Sequence, residues 1–187
     1  MSSHETIILE IINTLRYLGK RMTAKKIGKI IDRIPHTTYV EPMVGMGTVF
    51  FKTSPVDKEI LNDLDCGVVR TMKREACKKK DQTDCNRLKK AIITCGEDYR
   101  KVIRKHDSKN TLVYLDPPYE NTKCEYKHCD VPTKEIVKVM KRTKGTVLMS
   151  NDPKNRKDIC GDKKISCRII PFKFWGQPRK DLLAIKK

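Results

Sequence analysis

Apolar positions along the chain fall into two alternating rhythms. Ile8, Ile11, Ile12 and Leu15 recur at helical spacing within residues 5–16, and Ile27, Ile30 and Ile31 repeat that spacing within the basic stretch 22–33, so both segments predict helices packed on a surface. Short runs rich in β-branched and aromatic residues follow and predict strands: "TTYVEP" (37–42), "EILND" (59–63), "AIITC" (91–95) and "TLVYL" (111–115). A helix over 133–143 precedes three more, "GTVLMSN" (145–151), "ISCRIIPF" (165–172) and "DLLAIK" (181–186). Strands separated by helix-sized segments predict an α/β fold, a largely parallel sheet with helices on both faces, whose ligands gather at the strands' carboxyl ends. The 187 residues suit one compact domain and contain no internal repeat or low-complexity tract.

Charge changes this picture most. Lys and Arg number 41 against 23 Asp and Glu, a net charge of +18. The excess implies a polyanionic partner, nucleic acid first and an anionic membrane surface second. The run "TIILEIINTL" is too short to span a bilayer and has Glu10 inside it, nor does it resemble a signal peptide, so the protein is expected to be intracellular. Its eight cysteines contain no CxxC pair and read as reduced thiols, most of them filling space in the core. Cys124, His128, Cys129, Cys160 and Cys167 match no standard zinc spacing, so no metal is expected.

Candidate chemistry clusters where strands are predicted to end. In "TLVYLDPPYENT" two consecutive prolines follow Asp116, and they cannot donate backbone hydrogen bonds, so the chain leaves the sheet in a stiff turn that holds Asp116 and Tyr119 at its edge. In "VEPMVGMGTVFF", Glu41 and Pro42 close the first strand, and Gly45 and Gly47 sit where the chain must turn into a helix. Position 50 is Phe, so the third glycine of the dinucleotide fingerprint is missing and a cofactor without a pyrophosphate fits better. Asp63 ends the second strand, the position from which a carboxylate meets a ribose diol in this architecture, and Asp98 follows the third, where it reads as helix cap or ligand. Four carboxylates in one crevice are costly unless they receive donors or a cation.

The order "YVEPMVGMGTVFF", "LNDLD", "ITCGEDY", "VYLDPPY" and "RKDLLAIK" resembles the successive motifs of the DNA adenine methylase family of S-adenosylmethionine-dependent methyltransferases, from about residue 15 to the end. That resemblance implies a Rossmann-like methyltransferase fold with a mostly parallel seven-stranded sheet. It also implies cofactor contacts from Gly45 and Gly47 near the methionine part, Glu41 with Pro42 near its amino end, Asp63 on the ribose hydroxyls and Asp98 on the adenine amine. A cationic cofactor makes an acidic crevice tolerable. Asp116 and the Pro117 carbonyl, held by Pro118, would accept hydrogen bonds from the exocyclic amine of a target adenine, localising its lone pair for attack on the methyl group. Tyr119 would stack on that base, which must leave the duplex to be reached.

Two departures from the family pattern stand out. Members begin with an aromatic residue, a glycine pair or glycine-serine, and then lysine; here "YLGKR" supplies Tyr17, Gly19, Lys20 and Arg21 for that part of the cofactor site. Larger members insert a helical target-recognition domain between the second and third motifs, whereas residues 66–90 offer only a short Lys-rich stretch. The resemblance therefore implies a minimal enzyme of the kind that suits a virus or mobile element, acting on DNA with weak intrinsic sequence specificity, a short site or a partner chain. RNA as substrate, a silent nucleic-acid-binding role and self-association through residues 5–16 are the alternatives left open. The loop 120–135 and the basic stretch 152–164 are the expected contacts to nucleic acid.

Overall fold

A computed structural model describes residues 22–120, 131–174 and 176–187; the expected first helix (5–16) and Tyr17, Gly19, Lys20 and Arg21 lie outside them. Within the described residues, α1 (Ala24–Ile31) leads into β1 (Thr38–Glu41), then β2 (Lys58–Asp63), α2 (Cys66–Lys78), α3 (Thr83–Lys90) and β3 (Ile92–Cys95). The second half contains α4 (Tyr99–His106), β4 (Thr111–Leu115), α5 (Thr133–Arg142), β5 (Thr146–Asn151), α6 (Arg156–Cys160), β6 (Ile165–Phe174) and β7 (Gln177–Lys186). The seven strands form one sheet in the order β3-β2-β1-β4-β5-β7-β6, in which β7 alone runs against the others. The mostly parallel seven-stranded α/β fold expected from the sequence is the fold observed.

The strands read as continuous apolar runs because both faces of the sheet are covered. Tyr39, Leu61, Leu112, Tyr114 and Leu148 pack on one face with α1, α2 and α3; Val40, Ile60, Val113, Leu115 and Val147 pack on the other with α4, α5 and α6. Residues 66–90 belong to this packing: Val68, Val69, Met72 and Ala76 of α2 and Cys85 and Leu88 of α3 are buried.

Two expectations need correction. The glycine stretch after β1 does not open an α-helix but a single 3₁₀ turn at Phe50–Lys52, because Thr53, Ser54 and Pro55 end it and β2 begins at Lys58. That turn rests on α1 at Gly28, where a Cβ would lie 2.3 Å from the Lys52 carbonyl oxygen, so glycine is required for the contact. The cysteines, expected as reduced and mostly buried thiols, pair among the described residues as Cys66–Cys95, Cys77–Cys85 and Cys160–Cys167. Of these six only Cys85 is buried. The fold brings their Cβ atoms together across elements, which spacing along the chain does not reveal.

Candidate functional site at the carboxyl edge of the sheet

Strand order reverses beside β1, which pairs in parallel with β2 on one side and β4 on the other. A crevice opens at such a switch point beyond the carboxyl ends of the strands. Among the described residues, the four carboxylates singled out in the sequence all stand at that edge. Glu41 ends β1, Asp63 ends β2, Asp98 follows β3 and Asp116 follows β4.

Glu41 is the most deeply placed of the four, 2 % exposed. Burial pushes its carboxyl up to about 8, opposed by the hydrogen bond from Tyr39 and reinforced by the negative charge of Asp116. The Tyr39 hydroxyl donates to Glu41 Oε2 at 2.7 Å. Tyr114, fully buried on the neighbouring strand, also feels Asp116, and its hydroxyl lies 2.7 Å from Ser150 Oγ. Thus Asp116, half-buried at the start of the proline turn, is electrostatically coupled to the floor of the crevice. Pro117 is buried, and Pro118 and Tyr119 are partly exposed at the rim.

The glycine turn is fixed by backbone geometry and by Asp63. Gly45 and Gly47 have φ of 53° and 67°, left-handed values that favour glycine, and a Cβ on Gly47 would meet Met72 and Phe51 at 3.0 Å. Asp63 Oδ2 accepts from the Gly45 N–H at 2.9 Å and Oδ1 from the Asp65 N–H at 3.0 Å. One carboxylate thereby holds the glycine loop and the start of α2 in fixed relation.

Asp98 caps α4, accepting from the Arg100 N–H at 2.8 Å, and forms an ion pair with the Arg100 side chain at 2.6 Å. The Arg100 contacts hold its carboxyl below the usual range. The cap is therefore realised, and any ligand shares this carboxylate with Arg100.

Two residues that sequence reasoning passed over organise the edge. Asn62, fully buried beside Asp63, donates to the Pro42 carbonyl at 3.1 Å and the Glu97 carbonyl at 2.9 Å, and accepts from Thr94 Oγ1 at 3.0 Å. It ties the loops after β1 and β3 to the end of β2. Asn151, at the end of β5, accepts from the Asp152 N–H and from Asn155 Nδ2, while its own buried Nδ2 has no hydrogen-bond partner among the described residues. Both lie inside quoted motifs, "LNDLD" and "GTVLMSN", but an uncharged amide at a strand end gives no signal of its own.

The fold is shared with methyltransferases of several kinds. A methyltransferase from Geobacter sulfurreducens superposes with a TM-score of 0.62 at 14% identity, over 100% of this chain and 90% of that one. An O-methyltransferase from Bacillus cereus in complex with SAH gives 0.61 at 10% identity, over 100% and 92%. Magnesium protoporphyrin IX methyltransferase from Synechocystis PCC 6803 with bound SAM gives 0.57 at 15% identity, over 91% and 81%. No curated protein matches in sequence. Residues 70–166, just over half of the chain, match the D12 class N6 adenine-specific DNA methyltransferase family. With the sheet order and the composition of its carboxyl edge, this match establishes that the chain belongs to that family and is an S-adenosylmethionine-dependent methyltransferase.

Proposed function

We propose that the protein transfers the methyl group of S-adenosylmethionine to the exocyclic N6 amine of adenine in DNA, and that residues 1–187 act as one methyltransferase domain. In this reading residues 66–90 stand where larger members of the family carry a target-recognition domain. The observation that carries the reading is the placement of Asp116-Pro117-Pro118-Tyr119 directly after β4, beside the switch point flanked by Glu41. S-adenosylmethionine supplies the electrophilic methyl.

The crevice fits such a cation. Glu41 is buried with a carboxyl that burial and Asp116 hold largely protonated near neutrality, and a sulfonium or ammonium nearby would compensate its ionised form. Glu41 with Pro42 would hold the amino end, Gly45 and Gly47 the methionine part, Asp63 the ribose hydroxyls and Asp98 the adenine ring. Tyr17, Gly19, Lys20 and Arg21 complete this set by resemblance.

The chain's own residues would then prepare the nucleophile. Asp116 and the Pro117 carbonyl accept the two N–H bonds of the target amine and draw it toward tetrahedral geometry. Tyr119 at the rim stacks on the base, which has left the helix. Two prolines keep the acceptors in place, and a misplacement of about 1 Å can cost on the order of a hundredfold in rate.

The test is transfer of labelled methyl to double-stranded DNA, single-stranded DNA and RNA, followed by nucleoside analysis. N6-methyladenine in DNA, reduced by at least about a hundredfold in Asp116→Ala with cofactor binding retained, is the expected result. Methylation confined to RNA, or none with any substrate from folded protein, would reject the reading.

A further inference from the structure

The catalytic crevice is acidic, yet the substrate proposed for it is a polyanion. Glu41, Asp63, Asp65, Glu97, Asp98 and Asp116 all lie on or near the carboxyl edge, so phosphates must be held by something beside it. One element projects from that edge. β5 ends at Asn151, which pairs with Leu182 of β7, but β7 and β6 stay paired for five further rungs, from Ile170 opposite Asp181 to Phe174 opposite Gln177. At about 3.3 Å per residue the hairpin stands roughly 15 Å beyond the edge, and two strand spacings place it about 10 Å to the side of β4 and Asp116.

The composition of this overhang differs from that of the crevice. Residues 171–180 contain Lys173, Arg179 and Lys180 and no acidic residue. Pairing places Arg179 opposite Phe172 on one face, and on the other Lys173 opposite Pro178 with Lys180 opposite Pro171 one diagonal away. Phe174 is 39 % exposed, a large apolar ring at the outer end of a charged ribbon. The root is braced: Lys26 of α1 donates to the Pro171 carbonyl at 2.5 Å, and Thr23 donates to the buried carboxylate of Asp181 at 3.0 Å. A two-stranded ribbon of this kind fits the major groove of B-DNA.

We propose that the outer paired part of the β6–β7 hairpin, residues 171–174 and 177–180, binds duplex DNA, its three basic side chains on phosphates and its ribbon in the major groove next to the extruded base. This rests on the reading of DNA as substrate and assigns the grip that a separate recognition domain provides in larger relatives. The experiment is equilibrium binding of a fluorescent DNA duplex, across a range of salt, to the wild type and to the triple variant Lys173→Ala, Arg179→Ala, Lys180→Ala. All three positions are exposed, so the variant is expected to fold and to bind S-adenosylmethionine as the wild type does.

The expected result is at least about tenfold weaker duplex binding and a log-log salt slope shallower by about one unit for each phosphate left unneutralised. Duplex affinity and slope equal to wild type would overturn the proposal. A loss seen with anionic vesicles or duplex RNA but not with DNA would overturn it as well. Because binding is read without turnover, the hairpin result stands apart from the adenine reading, which fails only if the wild type methylates no DNA.

Discussion

Asn62 is fully buried and uses both ends of its amide to join three segments at the crevice. Replacing it with leucine keeps the volume but leaves the buried Pro42 carbonyl and the partly buried Glu97 carbonyl and Thr94 hydroxyl without that partner, and an unmatched buried group costs about 1–3 kcal/mol. Asn62→Leu should therefore lose about 3 kcal/mol in urea unfolding, together with cofactor affinity; a change within about 0.5 kcal/mol would show the amide to be incidental. Glu41 makes a prediction in pH. Its carboxyl titrates near 8 in the folded chain against 4.5 for the ordinary group, so the folded state keeps a proton that the unfolded state releases. The stability this supplies is present in full below 4.5, declines as pH rises and is gone above about 8. Glu41→Gln should flatten the dependence of Tm on pH across that window, and wild-type protein should release protons on binding the cationic cofactor at pH 7, seen as buffer-dependent heats. At this scale Glu41, Asp63, Asp116 and the two glycines were legible, because charge or glycine at the end of an apolar run is a local signal. Asn62 was not, since its partner carbonyls lie 20 and 35 positions away.

Elements hold the site through a few long-range anchors. Arg87 of α3 pairs with Glu59 of β2 at 2.6 Å and donates to the Phe50 and Thr53 carbonyls at 2.8 and 2.6 Å, with its guanidinium 4.0 Å from the Phe50 ring centroid. It fastens the 3₁₀ turn beyond the glycine loop to the sheet. Glu59 is buried and Arg87 largely so, their side chains 6% and 12% exposed, and breaking a buried pair from one side costs about 3–5 kcal/mol. Arg87→Ala should show that loss in denaturant unfolding, and Arg87→Lys should recover little of it, because an ammonium cannot reproduce the planar fork of contacts. Strand positions were readable to within one or two residues for β1 to β5. The hairpin was not: its outer stretch "KFWGQPRK" sets two aromatics among charged and polar residues and is broken by Gly and Pro, whereas its pairing is sustained by main-chain hydrogen bonds that the side-chain pattern does not report. The turn after Gly47 was misread for a related reason, since glycines mark a change of direction without fixing the type of helix or strand that the chain enters next.

The whole molecule separates its charges, with an acidic crevice set into a chain of net charge +18. DNA affinity should fall linearly with the logarithm of salt concentration, whereas S-adenosylmethionine affinity, governed by buried and neighbouring groups, should change far less. Titrating both ligands at several ionic strengths checks this, and equal slopes would contradict it. The sequence made the overall charge and the α/β class plain, but not the state of the cysteines, which depends on which ends of the fold meet. Disulfides persist in oxidising surroundings and each typically contributes about 2–4 kcal/mol, so a reductant should lower Tm measurably. Cys66–Cys95 has a more particular meaning. It joins the first residue of α2, three positions after Asp63 at the end of β2, to the last of β3, three positions before Asp98, and so ties the proposed ribose and adenine contacts of the cofactor together. Reduction and cofactor binding would then be linked reactions on one pair of loops, and linkage is reciprocal. If opening the bridge weakens the cofactor, the cofactor must in the same measure shift the bridge toward its oxidised form, making the thiol–disulfide poise of the surroundings a second ligand of the enzyme.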